Sequence, residues 1–120
     1  MIYTTYFGNL RKLPSDIVPI AICAKVPDWY KGLHYKAFAP KYDFFIKYKQ
    51  DGDEKSFTEQ YYSRVLFNLC PYDEKRKLFE LSNGKDIVLV CYEKDDFCHR
   101  HLVAKFFNQV GIECIEWKEK

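Results

Sequence analysis

At 120 residues, with 48% of them hydrophobic, the chain has the length and apolar content of one domain and too little of either for two cores. Nineteen Lys and Arg against seventeen Asp and Glu leave a net charge of +2, which excludes the strongly basic balance that by itself marks a nucleic-acid binder. Ten Tyr, ten Phe and two Trp exclude a disordered chain, because that much aromatic surface offsets the entropy of ordering once it is buried.

Ile2 to Tyr6 is rich in β-branched and aromatic residues and stops at Phe7-Gly8-Asn9, so it reads as a first strand. Ile17 to Cys23, entered through Pro14-Ser15-Asp16, is a nearly continuous apolar run and reads as a second. The link between them is shorter than the dozen or so residues a parallel crossover usually takes, which leaves their relative direction open. A loop carrying Pro27, Trp29, Tyr30 and Gly32 follows, then a helix from about Pro40 to Tyr48, broken at Gln50-Asp51-Gly52-Asp53. Ser56-Phe57-Thr58-Glu59 has the form of a capping box, and Phe57, Tyr61, Val65 and Leu69 follow at four-residue spacing, which predicts an amphipathic helix. Another helix starts with Pro71 near its first position, carries Leu78 and Phe79, and ends at Asn83-Gly84.

Ile87 to Cys91, five apolar residues in a row, is the pattern of a strand covered on both faces in a parallel sheet. Asp95 or Asp96 can cap a last helix, Phe97 to Val110, ending at Gly111, and Ile112 to Trp117 makes a final strand. This closes a right-handed βαβ unit. The expected fold is therefore an α/β domain over residues 1–120: a mainly parallel sheet of four or slightly more strands, with helices on both faces in Rossmann-like or flavodoxin-like layering.

No stretch approaches membrane-spanning length, and Met1-Ile2-Tyr3-Thr4-Thr5-Tyr6 has neither the basic start nor the apolar run of a signal peptide. The expectation is a cytoplasmic protein with no membrane partner. Cys23, Cys70, Cys91, Cys98 and Cys114 are odd in number and scattered through apolar patterns, so all five are expected to be free thiols.

In open α/β sheets ligands sit beyond the carboxyl ends of the strands, where the following helices point their N-terminal amides. Cys91 and Glu93 fall at that end of the third strand, and Cys98, His99 and Arg100 fall in the first turn of the next helix. At about 100° per residue, His99 shares a stripe with Phe106 and Val110, Cys98 and Arg100 flank it, and His101 points nearly opposite. Cys98, beside His and Arg at a helix start, is the candidate nucleophile; Glu93 can orient or deprotonate His99. Arg100, with the free amides of the turn, can hold a phosphate or carboxylate, so a small anionic ligand is the expected partner. Cys91, Cys23 and Trp29 complete the expected ligand-binding set. Each also has a structural reading: Cys98 and Cys91 as small core residues, His99 as the cap of a carbonyl, Arg100 as half of an ion pair with Glu93 or Asp95. Cys23, Cys91, Cys98 and His99 could converge on a metal if the second and third strands are neighbours, but the spacing is not that of a CxxC knuckle, and neither a metal nor another cofactor is assigned.

The segment Leu89-Val90-Cys91-Tyr92-Glu93-Lys94-Asp95-Asp96-Phe97-Cys98-His99-Arg100-His101 resembles the "domain of unknown function 488" family, in which an apolar strand ends in Cys-x-Glu and Cys-His-Arg opens the next helix. Ile2-Tyr3-Thr4-Thr5-Tyr6-Phe7, Pro27-Asp28-Trp29-Tyr30-Lys31-Gly32 and Ala39-Pro40-Lys41-Tyr42 are similar to its short members, so the resemblance covers nearly the whole chain. It implies an α/β fold and a site at Cys91 to Arg100, without naming a chemistry. Longer members follow the first strand with Gly-His-Ser and end the second with Val-Asp-Val-Arg; this chain has Tyr6-Phe7-Gly8-Asn9 and Ala21-Ile22-Cys23-Ala24 there, so no role of those polar residues carries over.

The competing reading is a nucleic-acid-binding or protein-interaction module built on Lys31 to Lys49, which interleaves five Lys with six Tyr or Phe. Against it, Phe38, Phe44 and Phe45 are expected in the core, with the lysines forming an ordinary solvated face.

Overall fold

The computed structural model describes residues 1–94 and 97–119. Its centre is the strand that the longest apolar run predicts: β4, Ile87–Cys91, with every residue buried. It lies between β1 (Ile2–Tyr6) and β2 (Val18–Ala21), both parallel to it, with Ile2 and Val18 each opposite Ile87. The short strands β3 (Leu33–His34) and β5 (Cys114–Glu116) pair in parallel with β2 and β1, giving a five-stranded sheet in the order β3-β2-β4-β1-β5. The α/β expectation holds.

The open question of the first two strands resolves as parallel, through a connection that contains a 3-10 helix, Phe7–Lys12. At about 2.0 Å of rise per residue a 3-10 helix covers more distance than an α-helix of equal length, which lets a short crossover step over β4. β3 has no counterpart among the predicted strands, because its two residues are both exposed and carry no burial pattern.

The two faces of the sheet are closed differently. Ile2, Ile20, Ile87 and Leu89 pack on one side against four α-helices: α1 (Tyr42–Asp51), α2 (Glu54–Arg64), α3 (Pro71–Leu81) and α4 (His99–Asn108), which contribute Phe44, Phe57, Tyr61, Leu78, Val103 and Phe107. Ala21, Val88 and Val90 face a smaller core with Phe7 and Leu10 of the 3-10 helix, Tyr30, and Trp117. The wide α-helical layer gives β4 one covered face, and this thin layer gives it the other.

Helix boundaries depart from the predicted ones where capping differs. In α2 the N-cap is Asp53, whose carboxylate accepts from Ser56 N at 3.0 Å, so Ser56 lies inside the helix. α1 ends on Gly52 at φ 66°, a left-handed cap that a glycine adopts without strain. α3 starts with Pro71 at its first turn, and Gly84 N–H returns to Phe79 O at 2.8 Å, as the Asn83-Gly84 stop predicts. Asp95 and Asp96, the proposed caps of the last helix, lie outside the described residues. α4 itself begins later than predicted, with Cys98 in extended backbone as its N-cap.

Candidate functional site

Beyond the carboxyl ends of β2 and β4 the chain leaves a cleft of about 610 Å³. Its floor consists of Cys91 at the end of β4 and Cys98 and His99 at the start of α4; Cys23 and Lys25 close one side after β2, and Glu93 lies on the loop above β4. The opposite wall is aromatic: Phe45 and Tyr48 from α1, Phe57 from α2, and Phe97. Phe97 meets Tyr48 and Phe57 at centroid distances of 5.4 and 5.3 Å, so the rings brace one another in tilted and edge-to-face contacts. Apart from Phe97, nothing in the sequence around Glu93 to Arg100 points to this wall, because Phe45, Tyr48 and Phe57 come from helices α1 and α2 far upstream.

Cys91 and Cys98 are joined by a disulfide, seven residues apart in sequence. The expectation of five free thiols is corrected at these two positions and holds for Cys23, Cys70 and Cys114. An odd count rules out complete pairing, not a single bridge. This bridge forms because the loop after β4 returns Cys98 to the strand end it left. Closing so short a loop lowers the entropy of the unfolded chain by an amount worth about 2–3 kcal/mol. The reading of Cys98 as a low-pKa thiol therefore does not describe the oxidised form.

His99 is buried, and its Nε2 lies 2.8 Å from Ile22 O. A carbonyl only accepts, so Nε2 carries the proton and Nδ1 holds the lone pair. No buried side-chain nitrogen or oxygen among the described residues lacks a partner. Nδ1 makes no hydrogen bond to any described residue, and the His99 ring lines the cleft. Burial lowers the pKa of the ring to about 4, so it is uncharged at neutral pH.

Arg100 does not line the cleft. It is the largest fully buried side chain, and its guanidinium forks onto Glu116, with Nε–Oε1 at 3.1 Å and Nη2–Oε2 at 3.0 Å. Nη2 also donates to Lys94 O at 3.1 Å, and Nη1 donates to Glu93 O and lies 3.7 Å from Cys91 Sγ. Its donors are thus engaged in holding the loop that carries Glu93 against β5. Among the described residues the ion-pair partner is Glu116 rather than Glu93; Asp95 lies outside them. Thr4 Oγ1 donates to the same carboxylate at 2.6 Å from the adjacent strand, where Thr4 sits opposite Glu116.

The Glu93 carboxylate lies 3.4 Å from Lys49 Nζ at the cleft rim and makes no hydrogen bond to His99, whose N–H is taken by Ile22. Cys23 lines the cleft as a thiol donating to Lys25 O at 3.1 Å, and burial pushes its pKa up to about 11, so it is protonated at neutral pH. Trp29 is exposed, edge-on to Phe7 at 6.0 Å, and does not line the cleft. His101 is exposed, as its place on the helix predicts.

A family model described as "Active DUF488-N3 subclade" (DUF488-N3a) matches residues 6–111. The chain belongs to the DUF488 family. No curated protein and no solved structure gives a match. The DUF488 match takes in the disulfide, His99 and all the aromatic wall of the cleft; Glu116, on which Arg100 closes, lies beyond it. Among the described residues no helix is long and apolar enough to cross a membrane.

Proposed function

We propose that the cleft binds a small ligand with a planar apolar part and an anionic group, and that the Cys91/Cys98 pair on its floor does thiol chemistry when reduced. The observation that carries this reading is the cleft itself: an aromatic wall facing a floor made of two cysteines and a histidine nitrogen. Mostly apolar clefts of several hundred Å³ with a few convergent polar groups are the usual form of small-molecule sites. With Arg100 engaged by Glu116 and Lys49 paired with Glu93, the charge of the ligand falls to Lys25. A single disulfide in a chain read as cytoplasmic fits a redox-active pair better than a structural staple.

In the reduced form Cys98 is the nucleophile and Cys91 the resolving thiol. His99 accepts the Cys98 S–H hydrogen bond through Nδ1; a ring with a pKa of about 4 orients a thiol well and stores its proton poorly. Of the aromatic residues of Lys31 to Lys49, Phe38 and Phe44 are buried in the core and Tyr42, Phe45 and Tyr48 line the cleft, which supports a ligand cleft over a stacking platform for nucleic acid.

Iodoacetamide labelling of reduced, metal-free protein tests this. Indole-3-acetate should slow alkylation of Cys98 without affecting exposed Cys70, neutral indole should protect less, and Phe45→Ala should remove the protection. Equal alkylation of Cys98 with and without saturating indole-3-acetate would refute the reading.

A further inference from the structure

We infer that the reduced protein holds a divalent metal ion of the zinc class on Cys91, Cys98 and His99, with the fourth coordination position open to the cleft. The ligand atoms of these three buried residues all lie within 4.8 Å of one another. Tetrahedral zinc, with bonds of about 2.3 Å to sulfur and 2.0–2.1 Å to nitrogen, needs its donors roughly 3.5–3.8 Å apart, so small side-chain rotations close the site once the S–S bond is gone.

Two further contacts are those a metal centre requires. A histidine ligand usually donates its other ring N–H to a carbonyl or carboxylate, which fixes the tautomer and aims the lone pair; His99 Nε2–H does this to Ile22 O at 2.8 Å. A thiolate ligand is stabilised by a cationic donor, and Arg100 Nη1 stands 3.7 Å from Cys91 Sγ, held by Glu116 from behind. Two soft sulfurs and an imidazole select zinc-like ions over magnesium or calcium. Three protein ligands with an open fourth position facing a ligand cleft is the arrangement of a catalytic rather than a structural zinc site.

The site exists in only one redox state. A dithiol reductant passes two electrons and two protons to the Cys91–Cys98 bond and is itself oxidised to a disulfide; metal binding then releases the two thiol protons. Hydrogen peroxide reverses this: the two thiolates supply two electrons, the S–S bond reforms, the metal departs, and the peroxide leaves as two hydroxide ions. The inference rests on the cleft reading only for the occupant of the fourth position.

Cobalt(II) serves as the probe. Protein reduced with dithiothreitol and desalted under nitrogen should bind one Co²⁺ per chain, with the ligand-field bands of a tetrahedral site and thiolate-to-cobalt charge transfer in the near ultraviolet, and Zn²⁺ should bleach both. The same protein kept oxidised should show neither, a control that needs no variant. Cys98→Ser and His99→Gln should each lower affinity by more than about 100-fold, beyond the 10- to 100-fold typical of outer-shell changes, and Cys70→Ser should leave it unchanged. Absence of tetrahedral bands in the reduced wild type, or bands of equal strength in the oxidised protein or in both ligand variants, overturns the inference. The indole-3-acetate protection is read without metal, so it survives such a failure if the cleft reading is right.

Discussion

Arg100→Ala removes the group on which the loop after β4 depends. Arg100 is 1% exposed, and its guanidinium satisfies both oxygens of Glu116 and the carbonyls of Glu93 and Lys94. Breaking a buried ion pair from one side costs about 3–5 kcal/mol, because the remaining charge loses its counter-ion, and here Glu116 keeps only Thr4 Oγ1 as a donor among the described residues. The side chain of Glu116 is 30% exposed and recovers some hydration, which lowers the figure, while the two orphaned carbonyls raise it by about 1 kcal/mol or more. The expected loss is therefore about 3–5 kcal/mol, a large part of the roughly 5–15 kcal/mol that holds a domain of this size together. Arg100→Lys keeps the charge but not the fork, and should lose about half as much. Urea unfolding at pH 7 with the disulfide intact measures both, and the Arg100→Ala/Glu116→Ala double variant should show a coupling above about 1 kcal/mol. A loss below about 1 kcal/mol for Arg100→Ala would refute the claim that this side chain anchors the loop.

Denatured, unreduced protein should titrate as three thiols and reduced protein as five, with tryptic cleavage after Lys94 leaving two peptides joined through Cys91 and Cys98; five thiols before reduction would remove the bridge. In the folded oxidised protein at pH 8, iodoacetamide should modify Cys70 first, since burial holds Cys23 and Cys114 at about 11 and about 12; equal rates for all three would show the burial to be wrong. His99, with its pKa lowered to about 4 against about 6.5 in the unfolded chain, makes the unfolded state bind a proton first as pH falls. Its contribution to stability is therefore complete above about pH 6.5 and lost progressively down to about pH 4, by roughly 3 kcal/mol. Urea midpoints of the wild type should fall more steeply over that window than those of His99→Gln; parallel curves would contradict the assignment.

The fold, and the meeting of Cys91, Glu93, Cys98 and His99 beyond one strand end, were legible because both rest on local signals. Five consecutive apolar residues, β-branched at three positions and short of a helix length, fit a strand covered on both faces, the Pro71 and Asn83-Gly84 signals bound α3 at both ends, and a helix that follows a parallel strand brings its first turn to the strand's carboxyl end. That is enough to place Cys91, Glu93, Cys98 and His99 on one edge of the sheet. What they do there was decided by partners far away in sequence. The N–H of His99 goes to Ile22, 77 residues earlier, Arg100 turns from the cleft to Glu116, and the aromatic wall comes from α1 and α2. Burial periodicity records which face of an element is covered but not by what. A guanidinium, a thiol or an imidazole takes whichever partner the packed chain brings within about 3 Å, and that choice exists only once the sheet order β3-β2-β4-β1-β5 has brought these segments together.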